Sequence, residues 1–484
     1  MKGIKAYFGI DFGTTNSATV GRILGKKSQK YGDEYGNPFP SLIVIDKVSG
    51  EVYCGRKAWE RRRELAESCV VINSVKDYLG TDKVWKIAGK EWTPEIIASL
   101  ILKGLKNEVR ERSESLLEMK EAVISVPVGF SHKKRKSLRK AAELADIKVK
   151  SFISESTSAI LKRYKDIKMY SKIAIFDWGG GTLDVSIVDN SKGRINEIAV
   201  SGMNIGGDDI DLKIAKWFHS KIAAKKNLDV SFEDMSPNHQ DLLLVKSEIA
   251  KKNLSEMDNV SIAMNKYGEA EFIRESLDIN TFEELIEAEI DQAIRIFEDA
   301  VKKAGLNMIE IECVLMVGGS SNLRPLLEKI DERWGELNII YPDNSEWDVA
   351  EGAALISVNP GSFKLNQDIG VVLSDESFYP IVKKDTIVPV SGIYHSFGIV
   401  EETRDARFIF SDNTRNGSKL NILDIISVPT QGFWKEQLKL EARINSDLVL
   451  EVQIKSNKTE NKLVREWNYS QLRFYYDINS TEVN

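Results

Sequence analysis

One chemical pattern occurs twice in this chain. Ile10-Asp11-Phe12-Gly13-Thr14-Thr15 is matched by Phe176-Asp177-Trp178-Gly179-Gly180-Gly181-Thr182. Each copy follows an apolar run that reads as a buried strand (Ala6 to Ile10; Ile173 to Phe176) and leads into a second β-rich run. A strand, glycine turn, strand unit lets bare backbone N–H groups come close to phosphate oxygens, because glycine has no Cβ in the way. The aspartate at each strand end places a carboxylate where hydrated Mg²⁺ would sit, since Mg²⁺ keeps its waters and favours hard oxygen partners. Either turn alone reads as an ordinary tight turn, and either aspartate alone as a cap. Two copies imply duplicated lobes that close on one nucleotide.

The elements that would carry these turns follow an α/β pattern. From residue 1 to about 360, strands alternate with amphipathic helices. Thr93 to Glu111 predicts a helix with Thr93 as N-cap and Pro94 at its first position. Glu121 to Val128 predicts a buried strand ended by Pro127, Ser131 to Leu144 a basic helix, Thr281 to Ala304 a long amphipathic helix, and Ile311 to Val317 a further buried strand. Character changes at Asn359-Pro360-Gly361-Ser362, a boundary signal. Beyond it come short alternating runs at Gly370 to Leu373, Thr386 to Val390, Ala406 to Phe410, Leu438 to Ala442 and Leu448 to Ile454. Turns are predicted at Ser411-Asp412-Asn413 and Arg415-Asn416-Gly417. This reads as an all-β sandwich of roughly a hundred residues.

Composition narrows the classes. The 484 residues suit two or three domains, and 42% hydrophobic residues supply a sizeable core. A formal net charge of −6 argues against a general nucleic-acid binder. No apolar run reaches the ~18 residues of a membrane span, and Met-Lys-Gly-Ile-Lys-Ala lacks the apolar core of a signal peptide. Cys54, Cys69 and Cys313 are scattered, which reads as reduced thiols in a cytoplasmic protein. The four histidines show no metal-ligand spacing, the run from His132 to Lys136 reads as a solvated helix face, and Trp334, Trp347 and Trp434 read as packing residues.

Together the motifs resemble the heat shock protein 70 (DnaK-type) chaperone family, over nearly the whole chain. Besides the two glycine turns, the resemblance rests on Ser125-Val126-Pro127-Val128-Gly129-Phe130, Ile153-Ser154-Glu155-Ser156-Thr157-Ser158-Ala159 and Asn204-Ile205-Gly206-Gly207-Asp208-Asp209. The helix segment from Glu248 to Ser255 and the loop Val317-Gly318-Gly319-Ser320 complete it. It implies an actin-like two-lobed ATPase of duplicated ribonuclease H-like domains over residues 1–362. A β-sandwich peptide-binding-like domain would follow over 363–484, without the helical lid usual in the family.

ATP or ADP with Mg²⁺ is the implied ligand. By resemblance, Gly13, Thr14, Thr15, Gly179, Gly180, Gly181, Gly206 and Gly207 cradle phosphate, and Asp11 and Asp177 hold the metal through its waters. Lys76 positions the attacking water, and Glu155 and Thr182 orient water and γ-phosphate; Asp177 is also counted as catalytic. Glu248, Lys251, Lys252 and Ser255 would share one helix face on adenosine, with Gly318, Gly319 and Ser320 opposite. Pro127 and Arg135 match a proline switch and its arginine relay.

Several positions depart from the family pattern. Lys252 and Asn322 stand where arginines usually sandwich adenine, with Arg324 as a possible substitute. Between Lys76 and Val123 the chain is shorter than usual. Ser151 and Ser154 replace an arginine and an asparagine that J-domain partners touch. Phe363 to Asp368 is much less apolar than the family's leucine-rich linker. The expected function is an ATP-hydrolysing chaperone-like protein that binds extended or unfolded polypeptide, with a J-domain protein and a nucleotide-exchange factor as possible partners. A regulatory ATPase devoted to one partner, an actin-fold small-molecule kinase and an actin-like filament protein are the competing readings.

Overall fold

The fold is described from a computed structural model covering residues 5–33, 36–62, 68–226, 229–268, 271–343, 345–359, 363–399, 404–416, 419–431, 436–457, 464–470 and 472–478. The chain divides into two compact units. Met1–Lys148, Ile153–Asn190 and Ile198–Leu355 form one; Val149–Phe152, Ser191–Glu197 and Ile356–Asn484 form the other. Three residues of the sequence-predicted boundary, Pro360 to Ser362, lie outside the described residues, as does Trp434.

Two sheets of the first unit share one plan. In the first, the strand Ala6–Asp11 pairs antiparallel with the next strand, Asn16–Ile23, and parallel with the later Glu121–Val126. In the second, Lys172–Trp178 pairs antiparallel with Leu183–Asp189 and parallel with Cys313–Val317. Their central residues are buried on both faces, so these strands read as continuous apolar runs rather than alternating ones. The helix Pro94–Arg112 starts where its sequence says, with the Thr93 hydroxyl accepting from Ile96 N. Ser131 caps His132–Leu144 in the same way. The helix Ile279–Lys303 begins two residues before its predicted start, because the Asp278 carboxylate accepts from Thr281 N. It buries Phe282, Ile286, Ile290, Ile294 and Phe297 at three- and four-residue spacing. Phe297 meets Phe176 and Trp334 edge-on, at ring-centroid distances of 6.0 and 5.4 Å.

The second unit contains two four-stranded antiparallel sheets. One runs Phe378–Val382, Ile369–Val372, Asp405–Asn416, Lys419–Pro429; the other runs Val390–Gly398, Gln437–Ile444, Leu450–Ser456, Arg465–Tyr469. Gln437–Ile444 alternates exposed and buried along its whole length. Aromatic side chains join the sheets: Phe397 packs on Phe408, and Phe410 stacks on Trp467 at 3.8 Å.

Two local expectations need correction. Residues 386–389 are not strand; Ile387 makes a single bridge to Lys364, and pairing starts at Val390, after Pro389, which has no N–H to give a ladder. Ser411 to Asn413 are not a chain reversal either. They form a bulge inside Asp405–Asn416, with Asn413 at φ +59° and the Asp412 carboxylate accepting from Thr414 N and Oγ1.

Candidate functional site

Register brings the predicted phosphate residues together. Asp11 lies beside Ser125 across the parallel pair Ala6–Asp11 and Glu121–Val126, and Ser125 Oγ donates to Asp11 Oδ1 at 3.0 Å. Asp177 lies beside Val317 on one side and Asp184 on the other. The turn after Asp177 closes on itself through Gly179 N to Thr182 O at 2.9 Å. The two glycine motifs then face one another. A Cβ on Gly180 would fall 1.9 Å from Thr15 Oγ1, and one on Gly181 2.9 Å from Thr14 Cγ2. Side chains in the second turn would therefore collide with the first, and glycine is what lets the two loops meet.

A third turn backs this cradle. Gly207 N donates to Gly179 O at 3.0 Å and Asp208 N to Gly180 O at 2.8 Å; Ser320 Oγ reaches Gly179 O at 3.0 Å. Asp209 lies in the first turn of the helix Gly207–Lys226, and its carboxylate accepts from Gly206 N at 2.8 Å. Thr15 is exposed and donates to Asp208 Oδ1 at 3.4 Å. Gly319 is exposed beside the buried Ser320, so the predicted residues Gly13 to Thr15, Gly179 to Thr182, Gly206, Gly207 and Ser320 belong to one neighbourhood. Gly318, at φ +80°, would set a Cβ 2.5 Å from Trp178 O, packing the facing loop onto the Asp177 strand end.

Charge is concentrated beside the cradle. Lys76 follows Ser74, held in the left-handed region at φ 51°, a conformation that costs a non-glycine residue about 1 kcal/mol or more. The Lys76 ammonium is buried and donates to Glu155 Oε1 at 2.8 Å. Glu155 opens the helix Glu155–Ile167, whose N-cap is Ser154, accepting from Thr157 N. Burial disfavours the Lys76 charge, but Glu155, Asp11 and Asp177 outweigh it and hold its pKa above the usual value. Asp11 is pushed up to about 7 by burial and by Glu155, against Lys76 and the Ser125 hydroxyl. Asp177 is raised well above its usual value by burial and by Glu155, Asp184 and Asp11. Burial and Glu155 push Asp184 up to about 6, against Lys76 and a hydrogen bond from Thr182.

One ammonium thus faces four carboxylates, a surplus of hard oxygen charge that a divalent cation would relieve. Among the described residues, no three His, Cys, Asp or Glu side chains stand close enough to ligate a metal directly. Asp11 and Asp177 are the residues that could hold Mg²⁺, an ion that keeps its water shell and favours hard oxygen partners. Asp184 is absent from the sequence-derived set. Its signal was a carboxylate in a strand that carries Leu183, Val185 and Ile187, set opposite Asp177 across the turn.

The helix face that the resemblance assigns to adenosine divides between interior and solvent. Glu248, Lys251, Lys252 and Ser255 lie on one stripe of Pro237–Leu254 and its C-cap. Lys252 is exposed and paired with Glu248 at 2.7 Å. Lys251 is buried, donating to Gly207 O at 2.8 Å and pairing with Asp211 Oδ2 at 2.9 Å. Its ammonium is thus engaged by the turn at Gly207 and by Asp211. Burial pushes Asp211 up to about 7, and Lys251 opposes that push. Asn322 is exposed, while Arg324 pairs with Asp258 at 2.8 Å and with Glu328 at 3.9 Å. Ser151 is buried and donates to Phe152 O.

Among the described residues no helix is long and apolar enough to cross a membrane. Comparison with known proteins adds two findings. A family model described as Hsp70 protein matches residues 81–381. The chain is 30% identical over 409 residues to the chaperone protein DnaK of Mycoplasma mobile, covering 79% of this chain and 64% of that relative. It thus spans less than two thirds of the relative's length. With more than half of its residues inside the family match, this chain belongs to the Hsp70 family.

Proposed function

We propose that the chain is a Mg²⁺-dependent ATPase of chaperone type, with an actin-like two-lobed ATPase over residues 1–362 and a polypeptide-binding β-sandwich over 363–484. The observation that carries this reading is the pair of glycine turns meeting face to face beside the buried Lys76–Glu155 ion pair. Backbone N–H groups of the two turns, with the Thr14, Thr15 and Thr182 hydroxyls, would orient the phosphates. Lys76, held charged by the surrounding carboxylates, would offset charge on the γ-phosphate, and Glu155 would orient the attacking water. Bound Mg²⁺ would supply further neutralisation at the phosphate oxygens. Phosphoryl transfer needs positioning and charge compensation more than covalent help, and these residues provide both.

The polypeptide substrates, a J-domain partner and an exchange factor belong to the same proposal, supported by kinship with a protein named as a chaperone. Single-turnover hydrolysis tests the chemical step. Lys76→Ala should slow it by at least about a hundredfold while changing ATP affinity by less than about threefold, because the ammonium acts mainly on the transferring group. Hydrolysis at the parental rate would remove Lys76 from the mechanism.

A further inference from the structure

The strand Phe474–Asp477 belongs to neither four-stranded sheet. It pairs antiparallel with residues 194–196 on one edge and with Phe363–Leu365 on the other. Ile478 N donates to Gly193 O at 2.9 Å, and Asn366 N to Arg473 O at 2.8 Å, extending both pairings by a residue. All of these residues lie in the second compact unit. The stretch 363–368 stands at the position of the family's linker but is much less apolar than that linker, and Phe363, Leu365 and Gln367 are buried.

Side chains fasten the arrangement from both faces. Lys364 pairs with Asp477 at 2.7 Å, both only about a fifth exposed. Phe363 stacks on Phe474 at 5.0 Å. Tyr475 is buried; its hydroxyl donates to Asp385 Oδ1 at 2.6 Å, and the Arg194 guanidinium lies 4.9 Å over its ring. Asn366 donates to Asn196 at 2.6 Å, a direct link across the strand between them. A short strand paired on both edges and fixed by an ion pair is costly to open at any one point.

We propose that strand Phe474–Asp477 is a strap, which by pairing on both edges holds residues 363–367 in place and turns the stretch at the linker position into a piece of sheet. This goes beyond the ATPase reading and does not depend on it. If the strap holds that stretch, loosening the strap must free both of its edges together while the two four-stranded sheets stay closed.

The test is hydrogen exchange on the full chain, followed by mass spectrometry, for Asp477→Lys and for the charge-swapped pair Lys364→Asp with Asp477→Lys. Asp477→Lys should speed exchange by about tenfold at 363–367 and at 194–196, leaving Gln437–Ile444 and Leu450–Ser456 as slow as in the parent. The swap should restore most of the protection, since it reinstates the pair with reversed sign. Unchanged exchange at 363–367 in Asp477→Lys would overturn the proposal. So would equal acceleration throughout the second unit, which would make the strand an ordinary part of one cooperative fold. Failure of the swap to restore protection would also overturn it, by removing the ion pair as the fastening.

Discussion

At the scale of single residues, the site is an argument about charge. Asp177 shares its surroundings with three other carboxylates and a single ammonium, and burial and the neighbouring carboxylates make Asp177, Asp11 and Asp184 resist ionising. Asp177→Asn keeps the shape of the strand end and removes one of the repelling charges. Without ligand, the variant should melt at or a little above the parental temperature, and calorimetry reads that directly. With Mg²⁺ and ATP, its single-turnover rate should fall by at least about tenfold, because a charge that favours the cation has gone. A variant that melts far below the parent would show that the carboxylate is structural. If Asn322 borders adenine, as the resemblance implies, a different question arises. Arg324 is engaged by Asp258 and Glu328, so it is not free to take the place of the missing stacking arginine. Asn322→Arg should then tighten ATP binding by roughly 1 kcal/mol, measured by calorimetric titration, and Arg324→Ala should leave it unchanged. Unchanged affinity in Asn322→Arg would mean that another group already covers that face of the base.

At the scale of elements, close packing positions the chemistry. The helix Asp348–Val358 lies against the strand that ends in Asp11 and against the helix that begins with Glu155. A Cβ on Gly352 would sit 1.9 Å from Ser158 O, and one on Gly9 2.2 Å from Ala354 N. Alanine is the better helix former by about 1 kcal/mol, so an open site would gain from Gly352→Ala. Here the helix must move away from Ser158, and the variant should lose about 2 kcal/mol or more of stability in a denaturant titration. A gain would place the helix farther from Ser158 than the fold has it.

The sequence also shows which elements local chemistry decides. Thr93 before Pro94, Ser131 before the basic helix, and the apolar spacing of Phe282 to Phe297 were legible because their causes lie within a few residues. The pairing of residues 475–477 with 194–196 was not, since strand partners hundreds of residues apart leave no periodic trace. Nor was the burial of Lys251, because a lysine on a charged helix reads as solvated until Asp211 is seen beside it. At Ser411 to Asn413 the residues that favour a turn serve equally well in a bulge, and only the partner strand distinguishes the two.

At the scale of the whole molecule, the question is whether nucleotide state alters polypeptide binding. A segment can carry such a signal only if the two nucleotide states bind it with different free energies. Residues 363–365 are held on one edge by Phe474–Asp477, while Leu365 N and Val388 N make bonds that join the same stretch to residues 386–388. A stretch already paired in this way has little freedom left for a nucleotide to redirect. On the ATPase reading, ATP should therefore change the release rate of a bound apolar peptide by less than about tenfold relative to ADP, a differential below about 1.4 kcal/mol. Stopped-flow release of a labelled peptide from the full chain, with each nucleotide in turn, measures that ratio. Asp477→Lys should enlarge it, because loosening the strap returns to 363–367 the choice between two environments. A large ATP acceleration in the parent would show that the signal passes by a route that leaves the strap closed. No peptide binding with either nucleotide would favour a β unit devoted to one folded partner, and a pull-down with the Lys76→Ala variant would then be the direct way to find it.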